Sequence, residues 1–178
     1  SNLAMTFTAG TGNSGVFTQG DGTSTIATGS GAITVNADTI ALSTTANTVT
    51  TTGAITLQPN TSGRPIVIGA AGASSDFALS AAEIAALTDA ASGITIGKAN
   101  SGAVTISAIT FNDPITILGA AMSVTALQAA GNNITLTSTS TIDELLDNTT
   151  VDITTTATLT MTAEGAIGVT GSDGPLDL

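Results

Sequence analysis

The segment Gly31-Ala32-Ile33-Thr34-Val35 returns further along the chain as Gly53-Ala54-Ile55-Thr56-Leu57. In both copies two small residues are followed by an aliphatic residue, a threonine and a second aliphatic residue. Successive side chains of a strand point to opposite faces, so this triplet buries two aliphatic side chains and exposes one hydroxyl group. β-branched residues favour that conformation. The triplet therefore predicts a short strand with one buried face.

The same pattern recurs along the chain at short and variable intervals. Further copies lie at 93–96, 102–106, 133–136 and 165–169, with related apolar alternations between them. When the related alternations are counted with the triplets, the first aliphatic residues fall about 8 to 11 residues apart. This spacing gives two or three strands for each turn of a repetitive fold. Coils of about 20 residues would make about eight in this chain, in a stack about 40 Å long.

Signals for antiparallel hairpins are scarce. Two-residue hairpin turns favour Asn-Gly or Asp-Gly, and the chain has such pairs at Asp21-Gly22 and Asp173-Gly174, both near its ends. A two-layer antiparallel sandwich would need more of them. We therefore predict an all-β fold in which coils stack on coils and each strand pairs with its equivalent in the next coil. Residues 1–178 are expected to form a single segment of this kind.

One short helix is predicted to interrupt the strands. In Ser80-Ala81-Ala82-Glu83 the Ser hydroxyl and the Glu carboxylate can each satisfy a free backbone N–H group, which is a capping box. Leu79 and Ile84 are placed to form a hydrophobic staple around it. We expect a helix from about Ala81 to Thr88, inside an insertion at about 76–91. Gly93 then allows the chain to enter the next strand.

A second, weaker capping signal occurs at Thr141-Ile142-Asp143-Glu144 and is followed by Leu145-Leu146. It predicts a single helical turn in an insertion at about 141–148. Both insertions are expected to leave the coil stack between strands, because the strand pattern resumes after each.

Composition excludes several classes of function. Among 178 residues there are 13 acidic side chains and two basic ones, Arg64 and Lys98, for a formal charge of −11. Such a charge repels nucleic acid and anionic lipid, so we expect neither as a partner. No run approaches the roughly 20 apolar residues of a membrane span, and no signal peptide opens the chain. We expect a piece excised from a longer repetitive protein, whose export signal lies elsewhere.

Residue types needed for catalysis or metal binding are nearly absent. Without His or Cys, this chain cannot assemble transition-metal sites or Ser-His and Cys-His nucleophilic groups. Neither an EF-hand loop nor a calcium-binding nonapeptide occurs. The glycine-rich run at 10–15 lacks the lysine of a phosphate loop and is interpreted as a turn. We predict no catalytic, cofactor-binding or metal-binding residue and no enzyme activity.

The nearest approach to a catalytic group is an acidic cluster. Its members are Asp143, Glu144, Asp147 and Asp152. Glycosidases use paired carboxylates, but a sugar-cleaving groove also needs aromatic platforms and cations. We interpret Asp143 and Glu144 as helix N-terminal residues and the other two as solvated turn residues.

Two further groups of residues have ordinary explanations. Arg64 and Lys98 could anchor an anion, but we expect each to neutralise a carboxylate or to cap a strand end. Glycosylation-type triplets begin at Asn60, Asn133 and Asn148. So threonine-rich a chain contains such triplets by chance, and the sequence does not show whether any is modified.

About 45 residues resemble large repetitive bacterial exoproteins of the filamentous-haemagglutinin type. The run Gly63-Arg64-Pro65-Ile66-Val67-Ile68-Gly69 is similar to their "GRPI" strand, and Leu79 to Leu87 is similar to their "LS-x-AE-L" helix. The strand pair 93–97 and 101–106 follows the same family pattern. The resemblance implies a right-handed parallel β-helix, export by an outer-membrane partner transporter or as an autotransporter passenger, and roles in adhesion or biofilm. The Asn-Pro-Asn-Gly hallmark of the family's secretion domain is absent.

The expected function is therefore that of a shaft segment in a secreted or cell-surface adhesin, acting as a stiff non-catalytic rod. Its expected partners are a host or neighbouring-cell surface, other copies of the fibre, and the transporter during export. The alternative is an ice-binding or carbohydrate-binding β-solenoid module. Ice binding is suggested by the runs Thr48-Val49-Thr50, Thr135-Leu136-Thr137 and 158–162. Against it, their spacing along the chain is irregular, so these threonines need not stack in register.

Overall fold

A computed structural model describes residues 2–10, 12, 14–20, 22, 24–87, 92–146, 150–168 and 176–178. Within these ranges the regular structure consists of nineteen short strands and one helix. In chain order they are β1 (Met5–Thr8), β2 (Val16–Thr18), β3 (Ile26–Ala27), β4 (Ile33–Asn36), β5 (Thr39–Ala41), β6 (Val49–Thr50), β7 (Ile55–Gln58), β8 (Ile66–Gly69), β9 (Phe77–Ser80), α1 (Ala81–Ile84), β10 (Ile94–Gly97), β11 (Val104–Ile106), β12 (Ile109–Thr110), β13 (Ile115–Gly119), β14 (Met122–Val124), β15 (Leu127–Gln128), β16 (Ile134–Ser138), β17 (Ile142–Glu144), β18 (Ile153–Thr154) and β19 (Leu159–Ala163).

These strands form a β-solenoid of about six turns. Its longest sheet, called here the long sheet, has the order β1-β4-β7-β10-β13-β16-β19. The second sheet is β17-β14-β11-β8-β9, and the third side of the coils carries β12-β15-β18 and the pair β3-β6. Every strand pairing among the described residues is parallel. The predicted all-β fold of stacked coils is confirmed, and its right-handed sense stays a prediction.

One apolar core runs through the stack. In β7, Ile55 and Leu57 are buried while Thr56 and Gln58 are half-buried on the outside, as the triplet predicts. The inward side chains stack on their equivalents, so that Ile33 lies on Ile55 and Ile55 on Ile94. Each such aliphatic side chain contributes about 1.5–3 kcal/mol by its removal from water. The core is thus a set of columns, one rung per coil.

The prediction of about eight coils is too high, because the coils differ in length. In the long sheet Ile115 pairs with Ile134, and Ile55 pairs with Ile94. The second of these pairs encloses about twice as much chain as the first. The longest coil contains the stepped segment, a name used here for residues 59–87. This segment lengthens its coil without adding a strand to the long sheet.

Within the stepped segment, chain order and stacking order disagree. Strand β8 pairs with β11 of the following coil, and β9 pairs with the opposite edge of β8. Strand β9 therefore lies between β8 and β5, although it follows β8 in the chain. It contacts β5 without joining a ladder with it. The chain steps ahead by one rung and then returns, so this coil has two strands, β8 and β9, on the second side and one strand, β7, in the long sheet.

Helix α1 confirms the capping box but is shorter than predicted. The Ser80 side chain accepts from the Glu83 N–H, and the Glu83 carboxylate accepts from the Ser80 N–H. The helix ends at Ile84 because Leu87 is drawn into a parallel bridge with Val49. Thr88, the predicted end, lies outside the described residues.

The predicted insertion at about 76–91 is also only partly correct. Residues 77–80 belong to the sheet, and Phe77 and Leu79 are fully buried in the core. Helix α1 then begins directly at the end of this strand. Gly93 has the positive φ (94°) of a residue that redirects the chain, as expected before β10.

The helical turn predicted at 141–148 is wrong over the residues described there. Residues Ile142–Glu144 form β17, which pairs in register with Met122–Val124. Ile142 fills an inward position on Met122 and is fully buried. Burial of this rung outweighs a local capping preference. Asp147 and Asn148 lie outside the described residues.

Candidate functional site

Seven outward threonines form one straight row along the long sheet, called here the threonine column. Ladder pairings connect its members in sequence: Thr6, Thr34, Thr56, Thr95, Thr116, Thr135 and Thr160. Neighbouring strands of a sheet lie about 4.8 Å apart, so the column is about 29 Å long. Each of the seven strands contributes one member.

The threonines of the column stack in register although their spacing along the chain is irregular. The chain between Thr56 and Thr95 is about twice as long as that between Thr116 and Thr135, yet both pairs are direct neighbours in the ladder. The additional residues lie at corners and in the stepped segment, where they lengthen a coil without shifting its strand. Thr48, by contrast, is buried, and its hydroxyl donates to the Thr45 carbonyl (3.1 Å).

A second outward row lies beside the column, two residues further along each strand. At its N-terminal end the Asn36 amide donates to the Thr8 hydroxyl (3.3 Å), and the Gln58 amide donates to Asn36 Oδ1 (2.6 Å). At its other end the row carries Thr137 paired with Thr162. This row is varied, with Gly97 and Leu118 between its polar ends, whereas the threonine column is uniform.

The threonine column keeps its hydrogen-bonding groups available. In the described ranges none of its seven hydroxyl groups takes part in a hydrogen bond. Its terminal members Thr6 and Thr160 are exposed, and the five between them are half-buried by their neighbours. The outward positions of the seven strands carry no charged side chain, although the chain has a net charge of −11. The face is therefore a flat, neutral array of hydroxyl and methyl groups.

The acidic cluster does not lie in solvent as expected. Glu144 is 2% exposed in an inward position, stacked on Val124, and Asp152 is 0% exposed. The two carboxyl groups are neighbours, and Glu144 is one of the groups that influence the pKa of Asp152. Asp143 occupies the outward position between Ile142 and Glu144. The helix N-terminal interpretation is therefore wrong for Asp143 and Glu144, which lie in β17, and the interpretation as a solvated turn residue is wrong for Asp152.

Asp152 forms a backbone corner. Its N–H and that of Ile153 both donate to the Asp177 carbonyl (2.9 and 3.3 Å), and the Asp177 N–H donates to Asp152 Oδ2 (3.0 Å). Burial raises the pKa of Asp152, and the charges of Asp177 and Asp143 add to that rise. Hydrogen bonds from the Asp177 backbone and from Glu144 oppose the change without cancelling it. Both carboxylates are enclosed in the core, where a sugar chain has no access.

A second corner of the same design, which sequence reasoning missed, is centred on Asp38. Asp38 and Thr39 donate their N–H groups to the Gly15 carbonyl (2.7 and 2.9 Å), and the Gly15 N–H donates to Asp38 Oδ2 (3.3 Å). The Thr61 N–H also donates to Oδ1 (2.7 Å). Burial opposes ionisation, but these bonds and the charge of Arg64 hold the pKa of Asp38 below its ordinary value. The available signal was an aspartate immediately before a strand.

The two cations are used inside the fold. Arg64 lowers the pKa of Asp38 by its charge, and its guanidinium donates to the Thr39 hydroxyl and the Ser74 carbonyl (3.2 Å each). The charge of Arg64 thus acts on a nearby carboxylate, which is one of the two roles expected for it. Lys98 Nζ donates to the Asn60 carbonyl (2.8 Å), so it ties two coils together.

A cleft of about 270 Å³ lies where the third side of the stack is interrupted. It separates Leu87, which pairs with Val49 below, from the Thr110–Asp113 turn above. Its walls combine polar side chains with apolar ones, among which are Ile84 and Phe111. The cleft marks the level at which the stepped segment leaves the third side without a strand.

Other expected features are partly resolved by the structure. The described residues contain no group of three or more acidic side chains arranged to hold a metal ion. Asn60 is half-buried, and its amide donates to the Gly10 carbonyl (2.6 Å). Asn133 is exposed, and its Oδ1 accepts from the Thr158 N–H (3.1 Å). None of the described helical structure has the length and apolar character of a membrane span.

Comparisons with known proteins identify no relative. No family model matches the chain, and neither the curated proteins nor the solved structures include a significant match. The likeness to haemagglutinin-type exoproteins therefore stays a prediction based on the residues quoted above.

Proposed function

We propose that the chain is a structural shaft segment of an exported bacterial surface adhesin and acts as a stiff, non-catalytic rod. The observation that carries the proposal is the unbroken stacking of seven strands, from Met5 to Ala163, around one core. In a fold of this kind each coil contacts mainly its neighbours, so length can be extended by adding coils. A module of that type serves to hold other parts at a distance.

The resemblance of the "GRPI" strand and the "LS-x-AE-L" helix to haemagglutinin-type exoproteins supports the adhesive role. The corresponding residues lie in β8 and from β9 into α1, which pair with or contact one another at the stepped segment. The proposed partners are a host or neighbouring-cell surface and further copies of the fibre, with an outer-membrane transporter acting during export. The proposed location is the cell surface or the secreted fraction.

Surface labelling tests this function directly. Antibodies raised against the folded chain should label intact producing cells, and protease added outside should remove the label. Cells lacking the coding sequence should attach less to surfaces and form less biofilm, and reintroducing it should restore both. Labelling that appears only after lysis, or unchanged attachment, contradicts the proposal. The carbohydrate-binding alternative stays a prediction, which a glycan-array screen would test.

A further inference from the structure

We propose that the threonine column is an ice-binding face, whose ligand is the surface of crystalline water. The inference is independent of the adhesin proposal, because it concerns one face of the solenoid and not its role as a spacer. It depends on three properties of that face, namely its repeat, its free hydroxyl groups and its lack of charge.

The repeat is the first property. Seven threonines stand in one register on seven strands, so their hydroxyl oxygens recur at the strand spacing of about 4.8 Å. The oxygen atoms of an ice surface also recur in a fixed lattice, with a spacing close to that value. Threonine has few side-chain rotamers, so little conformational freedom is lost when such an array meets a rigid surface.

The chemistry of the array is the second property. Each threonine presents a methyl group and a hydroxyl group side by side, and the hydroxyl can both donate and accept. Within the described part of the chain these seven hydroxyls make no hydrogen bond to protein. They can therefore join an ordered water layer without first breaking an internal bond, and water-mediated contacts of that kind cost little enthalpy.

The absence of charge is the third property. Charged side chains bind their own water strongly and would disturb an ordered layer. The second sheet carries the charged Asp143 among its outward residues, whereas the outward positions of the long sheet carry none. Those positions also carry no aromatic side chain, which a carbohydrate surface would favour for stacking. The face is thus better suited to ice than to a sugar.

A matched pair of variants tests the inference. Thr95→Lys places a charge at the centre of the column, while Thr105→Lys makes the same change on the outward face of β11 in the same coil. Both positions are half-buried, and both variants have the same net charge. Thermal hysteresis and inhibition of ice recrystallisation should be measured for the wild-type chain and both variants. Circular dichroism and the unfolding midpoint should be recorded alongside.

The wild-type chain is expected to show both activities, Thr105→Lys to keep them, and Thr95→Lys to lose about tenfold, as for a residue at the centre of an interface. Absence of activity in the wild-type chain overturns the inference, whether or not the variants fold. Equal loss in both variants, or no loss in either, also overturns it. Sedimentation should be run in parallel, because dimers that only Thr95→Lys dissociates, without ice activity, would show that the face binds a second copy.

Discussion

The corners at Asp38 and Asp152 share one backbone design but differ in their neighbours. In each, two consecutive N–H groups converge on a carbonyl of an adjacent coil, and that residue returns its own N–H to the aspartate. Asp38 receives a further N–H from Thr61 and lies near Arg64, whereas Asp152 faces Glu144. The pKa of Asp38 is lowered, and that of Asp152 is raised.

The difference shows what decides the cost of a buried carboxylate in this fold. Burial acts against the charge at both corners, so the geometry of the corner alone does not determine the outcome. The two corners differ in the number of N–H groups that donate to the aspartate and in the sign of the nearest charge. A second donor on Oδ1 makes the corner at Asp38 stable, while the negative charges of Asp177 and Asp143 repel that of Asp152.

Removing the charge at Asp38 should have the largest effect. In the wild-type chain two carboxylate oxygens of Asp38 accept the N–H groups of the corner. In Asp38→Asn one carbonyl oxygen must accept them, and the amide NH2 group faces an N–H. We expect a loss of about 2–3 kcal/mol in the free energy of unfolding at pH 7, measured by urea titration. Glu164→Gln, at an exposed position, is the matched control and should change stability little. A loss no larger than the control's would contradict this account of the corner.

Replacing Glu144 should act in the opposite direction. Glu144 lies in an inward position next to Val124, so Glu144→Val continues an aliphatic column and removes one carboxylate from the pair. We expect the free energy of unfolding to rise by about 1–2 kcal/mol at pH 7, because a buried carboxyl group is replaced by an apolar side chain. The measurement is the urea midpoint of this variant against the wild-type chain. A fall in that midpoint would mean that Glu144 stabilises its surroundings.

Acid titration should separate the two corners by sign. A raised folded-state pKa adds stability that is full below the unfolded value of about 3.9 and is lost as pH rises, so Asp152 favours the fold more at pH 5 than at pH 7. A lowered pKa adds stability that is lost as pH falls below about 3.9, and this applies to Asp38.

Unfolding midpoints at several pH values should therefore be compared with those of Asp152→Asn and Asp38→Asn. Asp152→Asn should be more stable than wild type by about 1 kcal/mol at pH 7 and should lose that advantage toward pH 4. Asp38→Asn should approach the wild type below about pH 4. Parallel pH profiles for all three chains would refute the assignment.

The smallest effect is expected from Thr61→Val. The change removes the hydroxyl that helps to lower the pKa of Asp38 and keeps the backbone N–H that donates to Oδ1. We expect a loss of about 0.5–1 kcal/mol at pH 7 that shrinks as Asp38 becomes protonated. Thr52→Val, at an exposed corner position, offers a comparison of the same chemistry.

The class of fold could be predicted because inward and outward residues alternate along each strand with a period of two. Ile55, Thr56 and Leu57 behave as that period requires, and the capping box at Ser80 forms as its residues predict. These are local properties, decided by neighbours within a few positions in the chain.

The register of the strand pairs could not be predicted, because it depends on how many residues lie in each corner between strands. The long stretch of chain between Thr56 and Thr95 hides the fact that their strands are adjacent in space. Glu144 was misjudged for a related reason: its helix-capping signal is local, while the rung formed by Ile142 on Met122 becomes visible only once coils are stacked. The exchange of β8 and β9 has no counterpart in any short sequence pattern.

That exchange has a mechanical consequence. Among the described residues, the second side of the stack is interrupted between β5 and β9, and the third side between Leu87 and β12. The long sheet is hydrogen-bonded without a break across both levels, through β4, β7 and β10. Bending should therefore separate the coils first on the two interrupted sides. The long sheet should stay paired and act as the hinge. The spacing of the hydroxyl groups on the long sheet should then be preserved when the rod bends.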